Sequence, residues 1–100
     1  MELTPTEEDR LTVFLTAELA RRTLAHGLRL NAPEATALIC DEMHTAARAG
    51  ATFEQVLEAG RIALGSEQLI DGVPELLEEI RLEVLLDEGS RLVVLRRPLG

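Results

Sequence analysis

Three times in the first 55 residues, a side chain suited to cap a helix is followed three positions later by Glu or Gln. These pairs are Thr4 with Glu7, Asn31 with Glu34, and Thr52 with Gln55. In such a capping box, each side chain of the pair accepts a hydrogen bond from the backbone N–H of the other residue. Pro5 and Pro33 fall in the first turns of the first two helices, where a missing N–H costs nothing. The sequence therefore predicts three helices, beginning after Thr4, Asn31 and Thr52.

Apolar residues recur at helical spacing after each predicted cap. The first set is Leu11, Phe14, Leu15 and Leu19, continued by Arg22; the second is Ala35, Leu38, Ile39, Met43, Ala46 and Ala47; the third is Phe53, Val56, Leu57, Ile62 and Leu64. Gly27 and Gly50 are predicted to end the first two helices. Gly65 and Ser66 break the third pattern, which Gly60 also weakens by about 1 kcal/mol relative to Ala.

The last third of the chain changes its period. A short helix is predicted through Leu69 and Ile70, followed by a turn in "DGVPELL". Ile80, Leu82, Val84 and Leu86 then alternate with other residues, "DEGS" forms a turn, and a second apolar run covers Leu92 to Leu95. This pattern predicts an antiparallel β-hairpin in which Gly89 has a positive φ. Apolar residues are also predicted on its second face, so that the hairpin packs on another surface; they are Leu85, Val93 and Leu95.

These patterns predict an α+β fold, in which a small bundle of three to four helices precedes a C-terminal antiparallel hairpin. One hundred residues are enough for one domain, which we assign to residues 1–100. The formal net charge is −8, from 18 acidic and 10 basic residues, and it argues against nucleic acid and anionic membranes as partners. Every basic residue is Arg, so the chain offers no lysine for a Schiff base, a phosphate loop or a carbamylated metal bridge.

The expected location is the cytoplasm. A single Cys forms no internal disulfide, which fits a reducing compartment. The segment "MELTPTEEDR" is acidic and polar, which is not typical of a secretory signal, and no apolar run approaches membrane-spanning length.

The stretch "ICDEMHTAA" contains the chain's strongest candidate for chemistry. Cys40 and His44 are four residues apart on one helix face, as a pair of metal ligands would be. Zinc needs three or four protein ligands, however, and the only other His is His26, one helix away. The favoured interpretation is a small buried thiol beside a partly exposed imidazole. A Cys–His nucleophile pair remains as the alternative, although the middle of a helix is a poor place to activate a thiolate.

The remaining polar candidates are predicted to have structural roles. His26 precedes Gly27 and suits a helix C-terminus. Three acidic pairs are interpreted as solvated faces or helix starts: Glu7–Glu8, Asp41–Glu42 and Glu78–Glu79. No catalytic, cofactor-binding or metal-binding residue is therefore predicted. Helices followed by a hairpin also suggest a winged helix, but its third helix would present more Glu than Arg to DNA.

Several longer stretches together carry a resemblance to a known family. They are "MELTPTEEDRL" at the start, "GLRLNAPEATALI" from Gly27 to Ile39, "EAGRIAL", "GVPELL" and the final hairpin. The second stretch fits the pattern GLxLNxPEAxALI at every specified position. Over essentially its whole length, the sequence resembles the gamma subunit of bacterial urease, the smallest of that enzyme's three chains.

The resemblance implies a structural role. Urease hydrolyses urea to ammonia and carbamate at a two-nickel centre, which the large subunit builds from several His, an Asp and a carbamylated Lys. A chain of this family would bind neither nickel nor urea. It would pack with the urease beta and alpha subunits in a hetero-oligomer containing three copies of each chain.

The sequence also departs from the family pattern. Ala32 stands where the family often has an aromatic residue, and the family usually has a neutral "NP" where this chain has "RRPLG". The tail is compatible with the front of a fused gamma–beta chain, and a divergent paralogue stays open. Cys40 and His44 lie outside the family motif. The competing hypothesis is a free-standing protein-interaction module or a winged-helix-like regulatory module.

Overall fold

The computed structural model describes residues 1–99 as four α-helices followed by a two-stranded antiparallel sheet, which confirms the predicted α+β class. A single turn of 3₁₀ helix lies between the third and fourth helices. The elements are α1 Pro5–Ala25, α2 Ala32–Arg48, α3 Phe53–Ile62, the 3₁₀ turn Ser66–Gln68, α4 Val73–Leu76, β1 Glu79–Leu86 and β2 Gly89–Arg96.

All three predicted capping boxes are present. At α1, Thr4 N donates to Glu7 Oε1 over 2.8 Å, and Glu7 N donates back to Thr4 Oγ1 over 3.2 Å. The equivalent bonds at Asn31 and Thr52 have similar lengths. Because each box involves only residues three apart, the start of each helix is determined locally.

Helix α2 is the centre of the fold. It packs against α1 on one side, α3 on another, and the β1 strand across its inner face. Its fully buried side chains include Ile39 and Met43, as its apolar spacing predicts. The core of the protein is therefore organised around this helix.

Helix α1 packs on α2 through small residues. Ala17 and Ala20 are completely buried, and Val13 and Leu24 flank them half-buried. Alanine lacks a long side chain, so the two helix backbones can approach closely. The apolar residues that predicted this helix point to solvent instead; Leu11, Phe14, Leu15 and Leu19 are 43–66% exposed.

The hairpin covers the core with one face only. Its register pairs Ile80 with Leu95 and Leu82 with Val93, and paired residues share a face. Val93 and Leu95 are therefore fully buried on the inner face, and their predicted place on the second face is wrong. Leu85 does point outward, as predicted. Gly89 has the predicted positive φ, at 119°.

The segment between α3 and the hairpin differs from its prediction. The helical turn ends at Gln68, and Leu69 is extended, because it forms a parallel bridge with Leu30. Leu30 N donates to Gln68 O over 2.8 Å, and Ile70 N donates to Leu30 O over 2.9 Å. The short helix predicted through Leu69 and Ile70 is therefore wrong. The turn predicted in "DGVPELL" is present at Asp71 and Gly72, and α4 follows it.

At Gly60, helix α3 lies close to Met43 of α2 and Leu95 of β2. A Cβ atom placed there would lie 2.8 Å from both Leu95 Cδ2 and Met43 Sδ. A glycine inside this helix weakens it locally, but the packing leaves room for no larger residue without a shift of its neighbours.

The tail remains attached to the hairpin as far as the structure describes it. Arg97 N donates to Glu78 O over 2.8 Å, and Pro98 is buried. The last residue of the segment "RRPLG", Gly100, lies outside the described residues. Within residues 1–99, no helix is both long and apolar enough to cross a membrane.

Candidate functional site

Cys40 and His44 lie on the inner side of α2 and have the surroundings that the sequence predicts. The Cys40 thiol is buried, with 6% of the residue exposed, and His44 is half-buried. Burial raises the pKa of Cys40 to about 11; the negative charge of Asp41 adds to this, while Arg10 opposes it. The thiol is therefore protonated at neutral pH and is a poor nucleophile.

The imidazole of His44 is also kept neutral. Burial lowers the pKa of His44, and the positive charge of Arg10 lowers it further, although Asp41 opposes the shift. A neutral imidazole can accept a proton in principle, but the neighbouring thiol holds its own proton tightly. The arrangement lacks the thiolate that a Cys–His nucleophile requires.

Asp41 is the polar residue that the sequence interpretation placed wrongly. It was assigned with Glu42 to a solvated face, yet only 3% of Asp41 is exposed. Its position on α2 faces α1, where Arg10 and Arg21 reach it. A buried carboxylate is stable only when it is paired, and two arginines supply that pairing.

The contacts of Asp41 use both of its carboxylate oxygens. Arg10 Nη1 lies 2.8 Å from Oδ1 in an ion contact, and Arg21 Nη2 donates to Oδ2 over 2.7 Å. Arg21 also donates to Glu42 over 2.9 Å and to Glu18 of its own helix. We call Arg10, Arg21 and Asp41 the interhelix ion cluster. It joins α1 to α2 beside the small alanine contact.

Arg21 is held firmly in its charged form. Partial burial lowers the pKa of Arg21, but hydrogen bonds to Asp41, Glu42 and Glu18 outweigh that effect and raise the pKa above its usual range. Both oxygens of Asp41 lie within 2.8 Å of an arginine nitrogen of α1. The cluster therefore links α1 to α2.

The other predicted candidates lie in separate places. His26 is exposed at the C-cap of α1, where its Nδ1 lies 2.8 Å from the carbonyl of Arg22, as its predicted C-terminal role implies. Glu7 belongs to the first capping box, and its hydrogen bonds to Thr4 lower its pKa. Across residues 1–99, no group of three or more His, Cys, Asp and Glu side chains could hold a metal ion.

Glu79 begins β1 and makes one ion pair within its own strand and one across the hairpin. Arg81 Nε donates to Glu79 Oε2 over 2.6 Å, and Arg96 Nη1 lies 3.6 Å from Oε1. The hydrogen bond from Arg81 lowers the pKa of Glu79. Its partner in the predicted acidic pair, Glu78, is exposed, so this pair lies on a solvated face as predicted.

Exposed apolar surface is the feature that most clearly suggests function. The outer side of α1 presents Leu11, Leu15 and Leu19, and the outer face of the hairpin presents Leu85 and Leu92. Leucines at 46–71% exposure, grouped on two elements, are typical of surfaces that bind another protein. The helical spacing of the α1 leucines was visible in the sequence, but it did not show that they face solvent.

The family comparison decides what kind of protein presents these surfaces. The family model described as urease, gamma subunit, matches residues 1–99. The chain belongs to the urease gamma-subunit family. A protein of Streptomyces coelicolor named urease subunit gamma/beta is 51% identical over all 100 residues, and one of Streptomyces avermitilis with the same name is 49% identical. The chain spans 44% of the length of each of these relatives.

The residues of the urease gamma-subunit signature have structural roles in this fold. Gly27 has a φ of 74° after α1, Leu30 forms the bridge to Leu69, and Asn31 with Glu34 caps α2. Ile39 then enters the core with no exposed surface. The signature therefore encodes the turn from α1 into α2 and the first half of the central helix.

Proposed function

We propose that this chain is a structural, non-catalytic subunit of a nickel-dependent urease. The observation that carries the proposal is the match of the gamma-subunit family over residues 1–99. In this proposal, residues 1–100 form one gamma-type domain, and urea is hydrolysed to ammonia and carbamate at a nickel centre in a partner large subunit.

The chemistry of the candidate residues supports the non-catalytic role. Cys40 has a pKa of about 11, and Asp41 is already neutralised by Arg10 and Arg21. The chain contains no lysine, so it offers no carbamylated bridge between two metal ions. Nickel is accordingly assigned to the partner, and no cofactor is assigned to this chain.

The partners in this proposal are the urease beta and alpha subunits, in a hetero-oligomer with three copies of each chain. Both relatives carry the name gamma/beta, and this chain matches less than half of their length. These two facts support the alternative form of this proposal, in which the beta-type part is a segment of the same polypeptide. Neither nucleic acid nor a membrane is assigned as a partner, in keeping with the net charge of −8.

The outer face of the hairpin is the surface we assign to the partner. Leu85 is 71% exposed and Leu92 is 53% exposed, and they lie on the solvent side of the strands, as does the half-buried Val94 of β2. A two-stranded sheet is marginally stable alone, and here α2 and α3 support only its inner face. Covering the outer face would add the missing apolar contact.

The proposed location is the cytoplasm. The single cysteine is free and buried, as suits a compartment in which thiols stay reduced. Fractionation of the native host, with the chain detected by antibody, tests this assignment directly.

Co-expression tests the assembly. The chain is produced with the candidate large subunit and any beta-type chain encoded beside it, and the mixture is separated by size exclusion and assayed for urea hydrolysis. We expect one complex that contains this chain, nickel and activity. If this chain elutes alone while the others form an active urease, the proposal fails and the free-standing module gains support.

A pair of hairpin variants tests the docking face. Leu85→Glu places a charge in the proposed contact, and it should remove the chain from the complex. Leu85→Met keeps an apolar side chain of similar volume and should assemble normally. Equal assembly of both variants would show that the partner binds elsewhere.

Variants of the thiol and imidazole test the non-catalytic role. Cys40→Ala and His44→Asn, each in the assembled complex, should leave kcat unchanged. A loss of kcat without loss of assembly would instead favour the Cys–His pair as a catalytic site.

A further inference from the structure

The exposed side of α1 has an internal symmetry in its sequence. Leu11, Leu15 and Leu19 form an apolar stripe, with Glu8 at one end and Arg22 at the other, and all five residues are exposed. We call these five residues the α1 stripe. Their spacings are three, four, four and three residues, so the order of charges and leucines reverses about Leu15.

Helix geometry turns this sequence symmetry into a symmetric surface. With a rise of about 1.5 Å per residue, Glu8 and Arg22 each lie about 10.5 Å from Leu15 along the axis, in opposite directions. Residues seven apart lie on nearly the same side of a helix. The buried alanines of α1, Ala17 and Ala20, lie on the opposite side against α2. The stripe is therefore unobstructed by the rest of the chain.

We propose that the α1 stripe binds the same stripe of a second copy of this chain. The two helices run antiparallel about a twofold axis beside Leu15. Leu15 then meets Leu15 of the second copy, Leu11 meets Leu19, and Glu8 meets Arg22 at both ends. This contact goes beyond the proposed urease role, because it joins two gamma-type chains to each other and needs no other subunit.

The charges at the ends favour this occupant and this orientation. None of the ion pairs formed within residues 1–99 uses Glu8 or Arg22, so both charges are free to pair with another molecule. A parallel arrangement would set Glu8 against Glu8 and Arg22 against Arg22. In a twofold contact between identical surfaces, each residue must be complementary to the residue that lies equally far from Leu15 on the other side, and Leu11 with Leu19 and Glu8 with Arg22 meet this requirement.

The oligomeric state of the full chain gives the first test. Light scattering after size exclusion should show a dimer at high micromolar concentration. Leu15→Glu puts two carboxylates together at the axis and should give a monomer, with an unchanged helical circular dichroism spectrum because Leu15 is exposed. Leu76→Glu is the matched control, since Leu76 is 71% exposed on α4, and it should remain a dimer. A monomeric parent chain, or a dimeric Leu15→Glu variant, overturns the proposal.

Charge reversal distinguishes the proposed contact from nonspecific hydrophobic association. Glu8→Arg alone and Arg22→Glu alone each create two like-charge pairs per dimer, so each should weaken dimerisation about tenfold. The double variant restores opposite charges and should dimerise like the parent chain. An equimolar mixture of the two single variants should form a heterodimer. Additive weakening in the double variant contradicts the antiparallel pairing.

Cysteine cross-linking in a Cys40→Ala background reports the direction of the helices. Leu15→Cys places two thiols at the axis and should form a disulfide between copies under mild oxidation. Glu8→Cys should not, because the two thiols would lie about 21 Å apart along the helices. Efficient cross-linking through Glu8→Cys but not through Leu15→Cys would exclude the antiparallel arrangement. If the stripe binds only an unlike subunit, neither variant cross-links to itself, and the proposal fails while the urease role stands.

Discussion

Helices α1 and α2 lie side by side, but they use opposite kinds of side chain against the core. α2 turns its large apolar residues inward, and Ile39 and Met43 have no exposed surface. α1 turns Ala17 and Ala20 inward and leaves Leu15 about two-thirds exposed, at 66%. Both helices show an apolar stripe in the sequence, yet only one of these stripes belongs to the core.

This difference shows how the two helices share the work of the fold. α2 buries large apolar side chains, and the removal of their surface from water stabilises the domain. α1 contributes a close backbone contact and the interhelix ion cluster, and its largest apolar side chains remain free for another surface. A subunit that must both fold and assemble can divide these tasks between neighbouring helices in this way.

The largest expected effect comes from truncating the same apolar chemistry in the two helices. Ile39→Ala should reduce the free energy of unfolding by about 3–4 kcal/mol, because it leaves a cavity at a fully buried site. Leu15→Ala should reduce it by less than about 0.5 kcal/mol, because an exposed leucine makes few contacts within the chain. Urea unfolding followed by circular dichroism measures both, at a concentration at which the chain is monomeric. Similar losses for the two variants would mean that the α1 stripe is packed within the fold.

Next in size is the loss of the charge that joins the two helices. Asp41→Asn keeps the shape of the side chain but leaves Arg10 and Arg21 without their shared counter-charge. Breaking a fully buried pair costs about 3–5 kcal/mol, and because both arginines are about one-third exposed, water should reduce this to about 2 kcal/mol. Glu42→Gln is the matched control on the exposed side of the cluster and should cost less than about 0.5 kcal/mol. Chemical denaturation measures the unfolding free energy of both variants. If both lose equally little, the interhelix ion cluster does not stabilise the packing of α1 on α2.

A smaller effect is expected where α2 meets α3. Gly60→Ala improves helix propensity by about 1 kcal/mol, but its Cβ would lie 2.8 Å from Met43 Sδ and Leu95 Cδ2. Overpacking costs typically about 1–3 kcal/mol, so we expect a net loss of about 1 kcal/mol in unfolding free energy. Leu95→Val in the same chain should recover part of that loss by making room. A Gly60→Ala variant more stable than the parent would show that the neighbours adjust without cost.

The smallest effect is the pH dependence contributed by His44. Its pKa is lowered in the folded state from an ordinary value of 6.5, so the unfolded chain binds the proton first as pH falls. Stability from this residue should therefore be complete above pH 6.5 and decline as pH falls from 6.5 toward the lower folded pKa. Unfolding curves between pH 8 and pH 5 should show this decline, and His44→Asn should flatten it. The pKa values of Glu7 and Glu79 are lowered from 4.5, so their contributions to stability are lost only at lower pH than the contribution of His44.

The parts of the fold that local sequence determines were predicted correctly. Each capping box connects residues three apart, and Gly27 and Gly89 have the positive φ that their turns require. The alternation in β1 likewise located the hairpin. Such features depend on short-range bonds and backbone preferences, which the sequence displays directly.

The parts that depend on distant partners were not predicted. Asp41 is buried only because Arg10 and Arg21, which are 31 and 20 positions earlier, converge on it. Leu69 is extended because its bridge partner is Leu30, in another loop. Periodicity also could not choose between the alanine side and the leucine side of α1, since both are apolar.

The order of the elements along the chain has a consequence for synthesis on the ribosome. The three capping boxes are complete as soon as each short segment emerges, so α1, α2 and α3 can begin without waiting for the rest of the chain. One side of the core, however, is covered by the hairpin of β1 and β2, which emerges after all the helices. Until then, the faces of α2 and α3 that contact the hairpin are uncovered, and the nascent domain is most prone to aggregation and to chaperone binding just before its last strand is released.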